Sequence, residues 1–229
     1  MLNQFSFSAV SQFDQCPRAF QFRYIDHVDE PISKSFEHGN LIHSLLAKYQ
    51  GQETPELTEF FNSDAGAPIK ETLETMPCYR ELKFGLTANA KPTYFSDGFF
   101  RGVIDLVYKD QHSMIHVVDY KTGAVRADES YNHIPIYEYG KMPDSTFEQL
   151  AIYSAYVFIV TPDVNTINLS IKYVDACKSI SVLIPREQAM KKLKEVFDKS
   201  RELLVQTTFP KNTGDHCQYC RFKHHCTDE

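Results

Sequence analysis

Apolar and polar residues alternate with a period of two in residues 97–123, and this alternation predicts two adjacent β-strands. In the second strand, Asp119 and Lys121 fall on the same face as Ile115 and Val117. A carboxylate and an ammonium group therefore project side by side from the end of an otherwise apolar segment. Buried charges cost free energy unless they are paired or bind a ligand, so the pattern indicates either a functional site or an ion pair at a strand end.

The first of the two strands carries another carboxylate in an apolar run. Asp105 shares a face with Val103 and Val107, and Gly102 just before it indicates a close backbone approach. An isolated Asp-x-Lys is most simply a surface ion pair, but a second acid between apolar residues favours a binding site. Two carboxylates and a backbone carbonyl can hold a divalent cation, and such a cation with a lysine beside it can activate water for attack on phosphorus.

The rest of the pattern predicts an α/β domain built around these strands. Periodicity predicts helices at 8–15, 17–24, 39–49, 145–160 and 186–206, and further strands at 79–87, 166–174 and 179–184. Residues 51–76 are polar with little periodicity, and we assign them to an insertion or cap. Residues 124–143 form a predicted loop whose tyrosines either stack on nucleobases or pack against the sheet.

Length and composition are those of an ordinary globular protein. At 229 residues, with 42% hydrophobic and 24% charged residues, the chain suffices for a sizeable core, and we treat 1–229 as a single domain. It shows no run of 18 apolar residues and no secretory signal, so we expect a cytoplasmic protein that does not enter a membrane. The net charge of −6 argues against indiscriminate coating of nucleic acid, so any DNA contact must use a local basic surface.

Four of the six cysteines form a candidate metal centre: Cys16 near one end, and Cys217, Cys220 and Cys226 in a C-x2-C-x5-C pattern near the other. The terminal segment has too few apolar residues to fold alone, so a metal must organise it. Four thiolates suit tetrahedral zinc or an iron–sulfur cluster, and the spacing alone leaves both open. The other two cysteines are interpreted as structural.

Several motifs together resemble the PD-(D/E)XK nuclease superfamily, in particular its RecB-like branch. They are G-V-I-D ending at Asp105, V-D-Y-K-T-G around Asp119, G-x-x-x-H ending at His43, and Q-x-x-x-Y from Gln149 to Tyr153. The resemblance implies a restriction-endonuclease-like core, in which helices flank a central mixed β-sheet and a four-cysteine metal cluster joins the chain ends.

The resemblance also implies roles for individual residues. It implies a site for Mg2+ or Mn2+ whose ligands are His43, Asp105, Asp119 and the carbonyl of Tyr120. It further implies a catalytic set in which Lys121 positions or deprotonates water beside the two acids, supported by Gln149 and Tyr153. Glu81 is either an auxiliary acid near this metal or an exposed strand charge, and the sequence favours neither.

The cysteine arrangement is similar to that of cluster-bearing RecB-like nucleases, including the AddB nuclease domain and the CRISPR-associated adaptation nucleases. It implies a 4Fe–4S cluster in residues 209–229, completed by Cys16 and with ligands at Cys217, Cys220 and Cys226. Zinc remains the alternative metal for this centre.

The function implied is that of a metal-dependent deoxyribonuclease, an exonuclease acting on single-stranded or frayed DNA ends in recombination, repair or CRISPR spacer acquisition. No G-x-x-x-x-G-K-[ST] motif occurs, so any ATP-driven unwinding requires a partner, and a helicase, recombinase or integrase-type protein is expected. The first alternative is a cluster-stabilised DNA-binding subunit of a recombination or repair complex with little cleavage of its own. The second is a zinc-stabilised interaction module.

Overall fold

The computed structural model describes residues 3–31, 33–52, 54–125 and 145–226. Its strands are β1 (Cys78–Leu86), β2 (Pro92–Thr93), β3 (Phe100–Lys109), β4 (Ile115–Lys121), β5 (Thr166–Tyr173) and β6 (Lys178–Pro185). Its helices are α1 (Phe7–Gln15), α2 (Pro17–Tyr24), α3 (Lys34–Ala47), α4 (Pro55–Phe61), α5 (Ala67–Thr75), α6 (Ser145–Val160) and α7 (Arg186–Leu204). Short 3-10 turns occur at Phe95–Asp97, Asp215–Tyr219 and Lys223–His225.

The strands form one six-stranded mixed sheet in the order β2-β1-β3-β4-β5-β6. Neighbouring strands are antiparallel except β4 and β5, which are parallel and have α6 between them in the chain. A parallel pair needs such a crossover because a tight turn can only reverse the chain direction. The predicted central mixed sheet flanked by helices is therefore confirmed.

Each face of the sheet has its own apolar core. One core contains the inward side chains of α6 and α7, among them Phe158 and Leu193, together with side chains of α1 and α2. The other contains Ile42 of α3, Phe60 of α4 and Ile69 of α5, packed on Val118 and Tyr120 of β4 and their neighbours. Residues 51–76 thus contribute two helices to the second core, and their status as an insertion or cap stays a prediction.

Several helix starts differ from the sequence prediction. Ser6, not Ser8, caps α1, because its Oγ accepts the Ala9 N–H at 3.2 Å. Helix α3 begins at Lys34 rather than Gly39, because Ser33 caps a first turn that is entirely polar except for Phe36. The side chain of Ser145 and nearly all of the predicted loop at 124–143 lie outside the described residues.

The two ends of the described chain contact one another. The Phe20 and Phe209 rings stack with centroids 6.0 Å apart, and the Arg18 N–H donates to the Pro210 carbonyl at 3.2 Å. The Asn212 side-chain amide donates to the Gln15 carbonyl at 2.8 Å. The cysteine segment therefore lies against α1 and α2. Within the described ranges, no helix has the length and apolarity required to cross a membrane.

Candidate active site

The site lies where the β3–β4 ladder stops. The last paired residues are Leu106 and Val118, and beyond them the two strands no longer pair. There the carboxylate of Asp105 accepts the Tyr120 N–H at 2.7 Å, so a side chain takes the place of a ladder hydrogen bond. Strand β4 continues to pair with β5 as far as Lys121 and Tyr173, which holds its end in position.

Glu81 lies opposite Asp105 in an unusual backbone conformation. In the β1–β3 ladder Arg80 pairs with Leu106, and Leu82 pairs with Ile104. Glu81 and Asp105 lie between these two pairs and are left out of the pairing. Glu81 has φ of 49°, which costs on the order of 1–2 kcal/mol for a residue with a Cβ.

The two strands exchange faces at this position. Ile104 packs in the core beside α6, whereas Leu106 packs in the core beside α3, although alternation alone would place both on one side. The local twist therefore turns two carboxylates, those of Glu81 and Asp105, toward the open end of the ladder.

His43 of α3 completes this group from above the sheet. Its Nε2 donates to the Tyr120 carbonyl at 3.1 Å, while Nδ1 is 3.3 Å from Asp105 Oδ1 and 4.0 Å from Glu81 Oε1. Burial lowers the pKa of His43, but the hydrogen bond and charge of Asp105 outweigh burial, and the net shift is upward. The imidazole is thus enclosed by oxygen atoms that favour a cation.

Asp119 and Lys121 form a close pair on the neighbouring part of β4. Lys121 Nζ lies 2.6 Å from Asp119 Oδ2, and Asp119 is only 5% exposed. Burial raises the pKa of the Asp119 carboxyl to about 6, even though Lys121 opposes the shift. The ionised carboxylate is therefore costly in the folded protein when no cation other than lysine is nearby.

Gln149 and Tyr153 lie on one face of α6, as their spacing predicts. Gln149 Nε2 donates to the Tyr153 hydroxyl at 2.8 Å, and burial raises the pKa of the phenol, with Asp119 and Asp105 adding to the shift. Gly102 packs directly beneath this tyrosine, because a Cβ at that position would lie 2.7 Å from the Tyr153 ring. The close backbone approach expected at Gly102 is therefore present.

The donor atoms suit a hard divalent cation. Within the described part of the chain, one set of three candidate ligand atoms lies mutually within 4.8 Å, and it comprises His43, Glu81 and Asp105. The Tyr120 carbonyl adds a fourth donor beside His43. Oxygen atoms with one imidazole fit Mg2+ or Mn2+. Asp119 is outside this set, and Glu81, which the sequence left undecided, is inside it.

The four candidate cysteines line a separate cavity between α2 and the C-terminal segment. The cavity measures about 660 Å3 and is bordered by Cys16, Cys217, Cys220 and Cys226. All four are free thiols, and none belongs to a set of three ligand atoms within 4.8 Å. Cys78 and Cys177 instead pack against the core beside α3. The four thiols thus face one cavity but do not form a compact four-thiolate site.

Comparison with known proteins supports the fold and the family. Among 28 matching chains of solved structures is the crystal structure of SSO0001, with a TM-score of 0.50 and 14% identity over 99% of this chain and 86% of that chain. At this identity the match shows a shared fold alone. A search of curated protein sequences gave no match.

The family match covers the elements that build the site. The family model of the PD-(D/E)XK nuclease superfamily matches residues 4–227, a range that includes His43 on α3, the break between β3 and β4, and Gln149 and Tyr153 on α6. Since this range is almost the whole chain, and the fold is a mixed sheet flanked by helices, the protein belongs to the PD-(D/E)XK nuclease superfamily.

Proposed function

We propose that the protein is a metal-dependent deoxyribonuclease, an exonuclease that acts on single-stranded or frayed DNA ends. One observation carries the proposal: the ligand atoms of His43, Glu81 and Asp105 lie mutually within 4.8 Å, in a site that also holds the buried carboxylate of Asp119 paired with Lys121. Family membership supports phosphodiester hydrolysis, and the RecB-like motifs support action on DNA ends, in recombination, repair or spacer acquisition.

His43, Asp105, Asp119 and the Tyr120 carbonyl, joined by Glu81, would hold Mg2+ or Mn2+. When bound, the cation lowers the pKa of a coordinated water and neutralises charge that develops on the phosphate. Lys121 is 36% exposed in its side chain, so its ammonium reaches the solvent beside the carboxylates, where it orients the attacking water.

Gln149 and Tyr153 of α6 support the metal site from the face of the sheet opposite α3. Gln149 orients the Tyr153 hydroxyl through their 2.8 Å hydrogen bond. Because that hydroxyl receives a donated hydrogen, its own proton remains to be donated, and the buried phenol stays neutral at working pH. Tyr153 thus acts as a hydrogen-bond donor near the carboxylates, and not as a base.

The resemblance to cluster-bearing RecB-like nucleases supports an iron–sulfur cluster over zinc in the cavity that the four cysteines line. We assign the 4Fe–4S centre to Cys16, Cys217, Cys220 and Cys226, where it would fasten the contacting chain ends together.

The activity is tested with single-stranded DNA labelled at its 5′ or 3′ end, incubated with anaerobically purified protein and either Mn2+ or EDTA. We expect progressive shortening with Mn2+ only, and loss of activity in Lys121→Met. Lys109→Met is the matched control, because Lys109 is an exposed lysine at the opposite end of β3. Binding without cleavage, in a protein whose metal centre is intact, would instead support the DNA-binding subunit.

Substitution of Glu81 tests the enlarged ligand set. Glu81→Gln removes one anionic ligand while keeping the size of the side chain, so we expect Mn2+ to bind about 10- to 100-fold more weakly. Titration calorimetry measures the affinity directly. Glu74→Gln is the control, because Glu74 accepts a hydrogen bond from the Tyr49 hydroxyl and is absent from the ligand set. Equal Mn2+ affinity in Glu81→Gln and the unsubstituted protein would remove Glu81 from the site.

A further inference from the structure

One face of α3 connects the active site with the cysteine segment. Phe36 and His43 are seven residues apart, so they lie on nearly the same helix face, about 10.5 Å apart along the axis. Asn40, between them, is exposed. At Gly39 the helix comes close to the turn after β4, because an added Cβ would lie 3.3 Å from Thr122 Oγ1. The first turns of α3 therefore lie close to the turn that follows β4 and the site residues.

Phe36 lies at the far end of this face, beside a guanidinium group. The Phe36 residue is 44% exposed, and Arg221 Cζ lies 5.4 Å from its ring centroid. Arg221 Nη1 donates to Glu30 Oε2 at 2.8 Å, and Glu30 also pairs with Arg23 Nε at 2.8 Å. One acid between two guanidinium groups leaves a net positive charge at this position.

The exposed side chains near Phe36 in the sequence are of both signs, because Glu37 follows Phe36 directly. Lys34 at the start of α3 is exposed, as are Lys223, His224 and His225 in the cysteine segment. The cation shown to contact the Phe36 ring is the Arg221 guanidinium. Exposed aromatic rings next to positive charge bind single-stranded nucleic acid, because the ring stacks on a base while the cation contacts the phosphate.

We propose that Phe36 and Arg221 form a binding subsite for one nucleotide of the substrate strand, with the base stacked on Phe36 and its phosphate near Arg221. Stacked nucleotides rise by about 3.4 Å each, so the distance along α3 places this nucleotide about three positions from the phosphate at His43. The proposal rests on the proposed nuclease function and adds a minimum length to its substrate. Strands too short to reach Phe36 lose this contact.

The test compares oligothymidylates of two and six nucleotides by fluorescence anisotropy with Mn2+, in the Lys121→Met background so that the strand stays intact. We expect Phe36→Ala to weaken binding of the six-mer about 5- to 100-fold and to leave the dimer unaffected. Phe36→Tyr should restore the six-mer affinity. Tyr94→Ala is the matched control, because Tyr94 is 80% exposed but lies beside β2 at the edge of the sheet.

Arg221→Gln provides a second variant that leaves Phe36 in place, and it should weaken the six-mer and reduce the salt dependence of its binding. Unchanged six-mer binding in both variants, or equal weakening of both oligonucleotides, overturns the subsite. Loss of iron or of thermal stability in Phe36→Ala without a length-dependent loss of binding assigns the residue a structural role instead. Cleavage by the unsubstituted protein is measured separately. If that protein cleaves DNA while both variants bind the six-mer unchanged, the subsite is wrong and the proposed nuclease function stands.

Discussion

Asp119→Asn is expected to abolish cleavage while making the metal-free protein more stable. The substitution removes an anionic ligand and the partner of Lys121, so the cleavage rate should fall at least about 1000-fold. Asp119 is 5% exposed, and its ionised form is costly without a bound cation. An amide of the same shape does not carry that cost.

The direction of the stability change follows from the pKa of Asp119. Its folded-state pKa of about 6 exceeds the ordinary value of 3.8, so between these pH values the folded protein binds more protons than the unfolded chain. Stability therefore falls as pH rises through this window, and near neutral pH the full cost is reached, about 3 kcal/mol at most. Asp119→Asn should recover about 1–3 kcal/mol of it, because the substitution removes the desolvation cost of the carboxylate together with its favourable interaction with Lys121.

Urea unfolding in EDTA at pH 5 and pH 7.5 measures this effect, and the gain in Asp119→Asn should be larger at pH 7.5. Asp198→Asn is the control, because Asp198 is an exposed partner of Lys194 and Arg201 on α7. If Asp119→Asn unfolds, the Asp119–Lys121 pair is required for the structure, and its assignment to catalysis loses its support. If Asp119→Asn cuts DNA at the normal rate, the catalytic assignment is wrong.

Substitution of single cysteines in the cavity should remove the proposed iron–sulfur centre and weaken the contact between the chain ends. For Cys16→Ser and Cys217→Ser we expect loss of bound iron and of the visible absorbance of the cluster. The melting temperature should fall by about 10 °C or more, because metal binding contributes directly to the folding free energy of a segment that cannot fold alone. Iron analysis and differential scanning calorimetry of anaerobically purified protein measure both effects.

Cys78 and Cys177 supply matched controls within the same chain. Both are partly buried free thiols that pack beside α3 and not in the cavity. Cys78→Ser and Cys177→Ser should retain iron in full, with losses of about 1 kcal/mol in stability. Full iron content in Cys217→Ser would exclude Cys217 as a ligand of the proposed cluster. Zinc in place of iron in the unsubstituted protein would replace the cluster assignment with the zinc alternative.

The parts of the site that the sequence predicts are those set by short-range periodicity. Alternation locates β3 and β4 and places Asp119 and Lys121 on one face of β4, whereas β3 changes faces at Asp105; the four-residue spacing places Gln149 and Tyr153 on one helix face. These relations depend only on the repeat of a strand or a helix.

Features that arise from tertiary packing were not predicted. The role of Glu81 depends on a positive φ and on the exchange of faces by β1 and β3, and glutamate gives no sequence signal for that conformation. The sequence does not predict helices α4 and α5, because each is short and begins at or next to a proline. Residues 62–66 also interrupt the apolar pattern between the two helices. Their stability comes from packing on the sheet, which propensity alone does not report.

The candidate metal ligands come from two different layers of the molecule. His43 belongs to α3, whereas Glu81, Asp105 and Tyr120 belong to the sheet that α3 covers. A cation bound by both layers couples local opening of the α3 layer to cation release, because separation of the layers breaks the coordination. The binding free energy of the cation would then also hold the two layers together, so the concentration of free divalent cation would set how often the core beside α3 is exposed to solvent and to proteases.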